Sequence, residues 1–163
     1  MHILIKKKKL IFKDYRIKCA LGKRGIGVKK KEGDLITPLG LFKIKYILYR
    51  KDRVKNLITS LKKIPITKKM GWCDDSNSKK YNQLIKYPSK YSFEKLYRRD
   101  NVYDIVIVLN YNMNPTKKNK GSAIFIHIAK KNYKNTEGCV AIKKTELIRI
   151  AKYLRIKSYV RIT

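Results

Sequence analysis

Phe125-Ile126-His127-Ile128-Ala129 and, after a short polar loop, Thr136-Glu137-Gly138-Cys139-Val140-Ala141-Ile142 are the two segments on which the reading of this chain turns. The first is an apolar run rich in β-branched residues, the pattern of a buried strand. It carries His127, one of only 2 histidines. The second places Cys139, one of 3 cysteines, directly after a glycine. A cysteine attacks as its thiolate and needs a base or a cation nearby to become one. Twelve positions separate the two residues, enough for a strand, a loop and a return to bring the side chains together. Gly138 lets the backbone approach a substrate closely. The N–H groups of Gly138 and Cys139 are the expected donors to a developing oxyanion.

Working outward, Ile105 to Leu109 reads as a second fully buried strand, and Tyr159 to Ile162 as a last one. Residues 2 to 20 read as two short strands, with Tyr15, Ile17 and Cys19 on one face. Phe42, Ile44, Tyr46 and Leu48 alternate with Lys43, Lys45 and Ile47, predicting a half-buried strand after the bend at Pro38 and Gly40. Residues 51 to 90 are polar and irregular, a long loop region of the kind that carries function. Ser92 to Arg99 is expected to be a short helix with Phe93, Leu96 and Tyr97 on one side. Thr145 to Leu154 is the clearest helix, with Leu147, Ile148, Ala151 and Leu154 on its apolar face. Many short strands with turn signals and one good helix predict a mostly-β fold, a sandwich or partly closed barrel, in a single domain over 1–163.

Composition narrows the function classes. A chain of 163 residues with 44% hydrophobic content is long enough for a real core. No apolar run reaches the length of a membrane span. The opening Met1-His2-Ile3-Leu4-Ile5, followed by four lysines, has the reverse order of a secretory signal, so no signal peptide is expected. Three cysteines without a C-x-x-C pair argue against a disulfide scaffold, and with 2 histidines no metal site is expected. Cys19 is expected in the core, and Cys73 has no histidine near it. The net charge of +31 raises nucleic-acid or anionic-surface binding. The lysines are spread along the whole chain, however, and no nucleic-acid-binding motif accompanies them. Compositional drift, with lysine spread over otherwise neutral surface, together with a general attraction to an anionic polymer is the favoured reading.

Two further segments belong with the first pair: Thr37-Pro38-Leu39-Gly40-Leu41-Phe42, and Gly71-Trp72-Cys73-Asp74-Asp75 with Tyr81-Asn82 after it. Together, in this order, the segments resemble the L,D-transpeptidases of YkuD type, in particular a proteobacterial subgroup that consists of the bare catalytic domain. The resemblance implies a β-sandwich with the active site at one edge, Cys139 as nucleophile and His127 as general base and then acid. It also implies that a backbone carbonyl, at Ile128 or just before Gly138, orients the imidazole. The implied substrates are peptidoglycan stem peptides, handled without metal or cofactor by a monomer in the periplasm or cell envelope, and carbapenem-type inhibitors are expected to acylate the cysteine.

Trp72 is expected either to pack the core or to wall the substrate cleft. Asp74 is expected to contact the amine of a diamino acid or to close a turn, a role open also to Asp75. Thr136 is expected to hydrogen-bond across the site's loop, and Glu137 to point to solvent or to a substrate ammonium. One departure stands out: many members of the family carry Arg two residues after the cysteine, where this chain has Ala141. If that Arg reads a substrate carboxylate, another cation must do so here. Rival readings are an L,D-carboxypeptidase or amidase on the same site, and a basic nucleic-acid-binding module.

Overall fold

A computed structural model describes residues 2–163. Over the described residues the chain runs through fourteen strands, with one α-helix and one 3-10 turn at Lys131–Tyr133. The N-terminal strands are β1 (His2–Lys6), β2 (Lys9–Phe12) and β3 (Tyr15–Lys18). Two strands were expected here and three form. The chain reverses at Lys7-Lys8 and again at Lys13, which all take positive φ. Such tight hairpin turns are usually announced by Asn-Gly or Asp-Gly, and lysines give no such signal.

The centre of the molecule is β6 (Gly40–Tyr49) beside β11 (Ile105–Leu109), with β12 (Phe125–Ile128) and β13 (Val140–Ile142) beyond β11, and β14 (Tyr159–Ile162) on the other side of β6. Their sheet runs β13-β12-β11-β6-β14-β1-β2-β3, with β7 (Lys63–Pro65) also paired to β6. The two ends of that path meet. Just past β3, Ala20 and Ala141 exchange backbone hydrogen bonds of 2.8 and 2.9 Å, and Gly22 bridges Thr136. The sheet therefore curls towards closure like a barrel. The short pair β4 (Ile26–Gly27) and β5 (Thr37–Pro38) lies on the loop that follows.

The alternation of β6 breaks part-way. Phe42 and Ile44 face the same core as Ile47 and Tyr49, while Tyr46 and Leu48 face the opposite one. The pairing with β11 slips at Val108/Leu109, where Tyr46 and Ile44 occupy successive partner positions, so Lys45 is an extra residue. Such a bulge shifts the side-chain phase by one, which is why Ile47 is buried.

A second sheet of three strands, β8 (Met70–Cys73) flanked by β9 (Leu84–Lys86) and β10 (Phe93–Lys95), covers one face of the first. The expected helix at Ser92–Arg99 is therefore a strand. Its apolar residues satisfy a helical spacing locally, but Phe93, Glu94 and Lys95 pair with Cys73, Trp72 and Gly71, and a ladder to a distant strand overrides weak local propensity.

The layers enclose two apolar clusters. The larger is almost wholly aliphatic: Ile5, Ile47, Ile107 and Ile126 are completely buried in it. The helix α1 (Lys144–Ala151) presents Leu147, Ile150 and Ala151 to this cluster, with Leu154 just beyond its end. Ile150 joins the expected face, and Ile148, partly buried, packs against the cluster's edge. The smaller cluster lies between the sheets and holds Leu48, Trp72, Leu96, Val106, Phe125 and Cys139. Among the described residues no helix is long and apolar enough to cross a membrane.

Candidate functional site

Strand alternation builds the site. On β12, Ile126 and Ile128 enter the aliphatic cluster, so Phe125 and His127 face the other way. β13 runs parallel to β12 with His127 opposite Ala141. Val140 and Ile142 enter the aliphatic cluster while Cys139 joins Phe125 on the far side. Cys139, one residue before β13, and His127 are thus diagonal neighbours on one face of the sheet, two positions apart in register. Both line one cleft of about 440 Å³.

The imidazole is held by its backbone. His127 Nδ1 lies 2.9 Å from Ile128 O. A carbonyl only accepts, so Nδ1 carries the proton and Nε2 keeps its lone pair. Of the two carbonyls expected for this role, Ile128 is the one in contact. The ring edge packs against Tyr103, with centroids 5.3 Å apart at 80°. Burial, more than the nearby Arg98 and Lys130, pushes the imidazole down to about 4, against the lift from its Ile128 bond. It is therefore neutral at pH 7, as a base must be.

The thiol rests on the backbone. Cys139 Sγ donates to Ala123 O at 3.0 Å and accepts from Phe125 N–H at 3.4 Å. Burial pushes the thiol well above its ordinary value and Glu94 pushes it further, while the Phe125 N–H and Lys29 pull it down. Neither resting bond involves His127. The resting pair is a neutral thiol beside a neutral imidazole.

The loop between them is stapled by Thr136. Its Oγ1 donates to Cys139 O at 2.6 Å and accepts from Gly138 N–H at 3.2 Å. The Gly138 N–H expected as an oxyanion donor is thus already engaged. The Cys139 N–H has no acceptor among the described residues. Gly138 sits at φ +145, and a Cβ there would lie 2.9 Å from Ile36 O, so only glycine fits this turn.

Trp72 is 1% exposed and does not line the cleft. It packs edge-on against Phe125 at 4.9 Å, which makes it a packing residue and not a wall. Its Nε1–H donates to Asn82 Oδ1 at 3.0 Å, and the same oxygen accepts from Ala123 N–H at 3.0 Å. Through Asn82, Trp72 is thus linked to Ala123, the residue whose carbonyl receives the Cys139 thiol. Asp74 and Glu137 do line the cleft. Asp74 accepts from Ser92 Oγ at 2.6 Å, whereas Asp75 closes a turn by accepting from Asn77 N–H at 2.9 Å. Cys19 and Cys73 are each 1% exposed and away from the cleft.

Glu94, Tyr103, Arg98 and Ser122 are cleft residues that escaped the sequence reading. Glu94 accepts from Tyr103 O–H at 2.5 Å. Burial raises its carboxyl, against the Tyr103 bond. Arg98 lines the cleft on the same side, paired to Asp100 at 2.6 Å, so a guanidinium is present although the position after Val140 is alanine. Ser122 Oγ is the one buried side-chain polar atom without a partner among the described residues, and Ser122 lines the cleft. Such a group takes its partner from outside the chain, water or ligand. Among the described residues no group of three or more His, Cys, Asp and Glu side chains is placed to hold a metal ion.

Residues 1–162 match the family model of YkuD, the L,D-transpeptidase catalytic domain. No curated protein matches the chain.

Proposed function

The chain belongs to the YkuD family of L,D-transpeptidase catalytic domains, and from that premise we propose that it is a cysteine acyltransferase that cross-links peptidoglycan stem peptides, with residues 1–163 as one catalytic domain. The observation that carries the proposal is the cleft shared by Cys139 and a His127 whose Nδ1 is anchored on Ile128 O. A base so held presents Nε2 in a fixed direction.

In the proposed cycle His127 Nε2 takes the Cys139 proton as the sulfur attacks the amide carbonyl ahead of the terminal D-residue of a donor stem. The Cys139 N–H is the donor offered to the oxyanion; such a donor lowers a barrier by about 3 kcal/mol. The tetrahedral adduct collapses to a thioester, and His127 protonates the departing amine. An amine of a second stem then attacks the thioester, returning the thiol. The carboxylates of Asp74, Glu94 and Glu137 suit an ammonium of the diamino acid, Arg98 suits a substrate carboxylate, and Ser122 Oγ offers the unpaired hydroxyl. The high positive charge favours approach to the anionic wall polymer, and the substrate places the proposed work in the cell envelope.

Purified muropeptides test this directly. Cross-linked dimers and released D-amino acid are expected with wild type and neither with Cys139→Ala. Released amino acid without dimers would make the enzyme an L,D-carboxypeptidase. No processing at all, with salt-sensitive nucleic-acid binding that survives Cys139→Ala, would overturn the enzymatic reading.

A further inference from the structure

Lys29 is the least expected lysine of this chain. In a protein with 42 Lys and Arg residues nearly all such side chains reach water, yet the side chain of Lys29 is 2% exposed. Its Nζ meets Asp34 Oδ1 at 2.5 Å and donates to Ile36 O at 3.2 Å. Burying an ion pair is expensive in desolvation and is poor evidence of stabilisation for its own sake.

The path of this side chain is cleared by Gly121 and ends beside Gly138. A Cβ at Gly121, where φ is +98, would lie 2.3 Å from Lys29 Cε, and one at Gly138 would lie 3.6 Å from Lys29 Nζ. The ammonium therefore ends against the residue that precedes the Cys139 thiol. The paired carboxylate is tied down elsewhere. Asp34 accepts from the N–H groups of Lys30 at 2.8 Å and Ile36 at 3.1 Å. Burial pushes the Asp34 carboxyl up, but the bonds from Lys29, Lys30 and Ile36 outweigh it and hold it at about 2. Backbone donors take up part of the negative charge, and the ammonium it pairs with lies against the loop.

We propose that Lys29 is a built-in counter-cation of the Cys139 loop, an ammonium fixed by Asp34 against Gly138 so that its field steadies the sulfur as its proton passes to His127 Nε2. Lys29 does not touch substrate in this account; it is a positioning residue that acts through Cys139. The ionisable groups that bear on the sulfur are Glu94, Glu137 and Tyr103 from the cleft and Lys29 from behind. Tyr111 also faces the Lys29–Asp34 pair, bearing on Asp34 from across Gly121. The carboxylates oppose a thiolate, and Lys29 is the cation set against them. A cation beside a cysteine lowers the cost of ionising it. The proposal rests on Cys139 being the reactive thiol, but not on which substrate it attacks.

The test is the rate of iodoacetamide alkylation at Cys139, read by peptide mass from pH 5 to 10, since alkylation reports the thiolate without any wall fragment. Lys29→Met is expected to slow alkylation at pH 7.5 by about tenfold and to move the profile to higher pH. Asp34→Asn keeps an acceptor oxygen for the ammonium and removes only its counter-charge, so it is expected to leave the rate unchanged or raise it. A merely structural pair would shift both variants the same way, and that result, or two profiles identical to wild type, overturns the proposal. Should either single variant unfold, seen as labelling of the buried Cys19 and Cys73, the double variant Lys29→Met/Asp34→Asn replaces it. Its expected slowing is smaller, about threefold, because the opposing charge goes with the cation, and a wild-type profile from it is equally fatal.

Discussion

One face of β11 and β12 presents Ile105, Ile107, Ile126 and Ile128 to an aliphatic cluster; the other presents Val106, Phe125 and His127 to Trp72, Tyr103 and Cys139. On the first face no side chain carries a polar atom, and the contribution of each residue is its buried hydrocarbon. On the second, polar atoms are matched one by one: His127 Nδ1 with Ile128 O, Trp72 Nε1 with Asn82, Tyr103 O–H with Glu94, and the Cys139 thiol with Ala123 O. A two-residue period therefore assigns stability and chemistry to alternate positions of the same strands. The orphan hydroxyl of Ser122 lies on the second side, in the cleft.

The difference between the faces breaks most sharply at Cys139. Cys139→Ala is expected to lower turnover of muropeptides by about four orders of magnitude or more, because in the proposed cycle no other group forms the thioester. Its melting temperature is expected to stay close to that of wild type. Ile107→Ala does the reverse. It leaves a cavity in the aliphatic cluster and is expected to lower the unfolding free energy by about 2–5 kcal/mol, measured in urea, with activity per folded molecule preserved. Equal loss of activity in the two variants would erase the distinction.

Acid sharpens the comparison through His127. The unfolded imidazole binds a proton below its ordinary 6.5, whereas the folded one, desolvated, does so only near 4. The unfolded chain thus holds more protons between those values. Stability is full above pH 6.5 and declines as the pH falls towards 4, by an amount on the order of 3 kcal/mol. The pH dependence of urea unfolding is expected to be shallower by that much in His127→Gln, and an unchanged dependence would refute the burial of a neutral imidazole. The smallest effect is expected at Thr136→Val, which frees the Gly138 N–H and the Cys139 carbonyl. Loss of these two bonds is expected to lower kcat by about tenfold, with each bond contributing about 1 kcal/mol to the order of the loop. A kcat equal to that of wild type would show the loop to be held without the hydroxyl.

Much of this second face was legible before any coordinates. Cys139 and His127 stood out because both are rare residue types, one following a glycine and the other inside a β-branched run. The glycine proved necessary at its positive φ. The strands carrying them were legible because buried strands are continuous apolar runs. Glu94 and Arg98 were not, since the segment's Phe93, Leu96 and Tyr97 mimic a helical stripe and only the pairing with β8 makes it a strand. The burial of Trp72 depends on Asn82, a residue at φ 58 whose amide also reaches the carbonyls of Tyr111 and Asn112; contacts across some thirty positions leave no local signature. Lys29 was hidden by its own abundance, because a lysine run reads as solvated surface and nothing near it in sequence marks the one that turns inward. The face shift in β6 needed the register slip against β11, which hydropathy alone does not record.

The most direct test of the central claim, that Cys139 is an acylatable nucleophile in an open cleft, is the intact mass of the protein after incubation with a carbapenem. One adduct of the inhibitor's mass is expected on wild type, mapped to the Cys139 peptide and missing from Cys139→Ala. A wild-type mass that does not change, or an adduct that forms equally on the alanine variant, would contradict it.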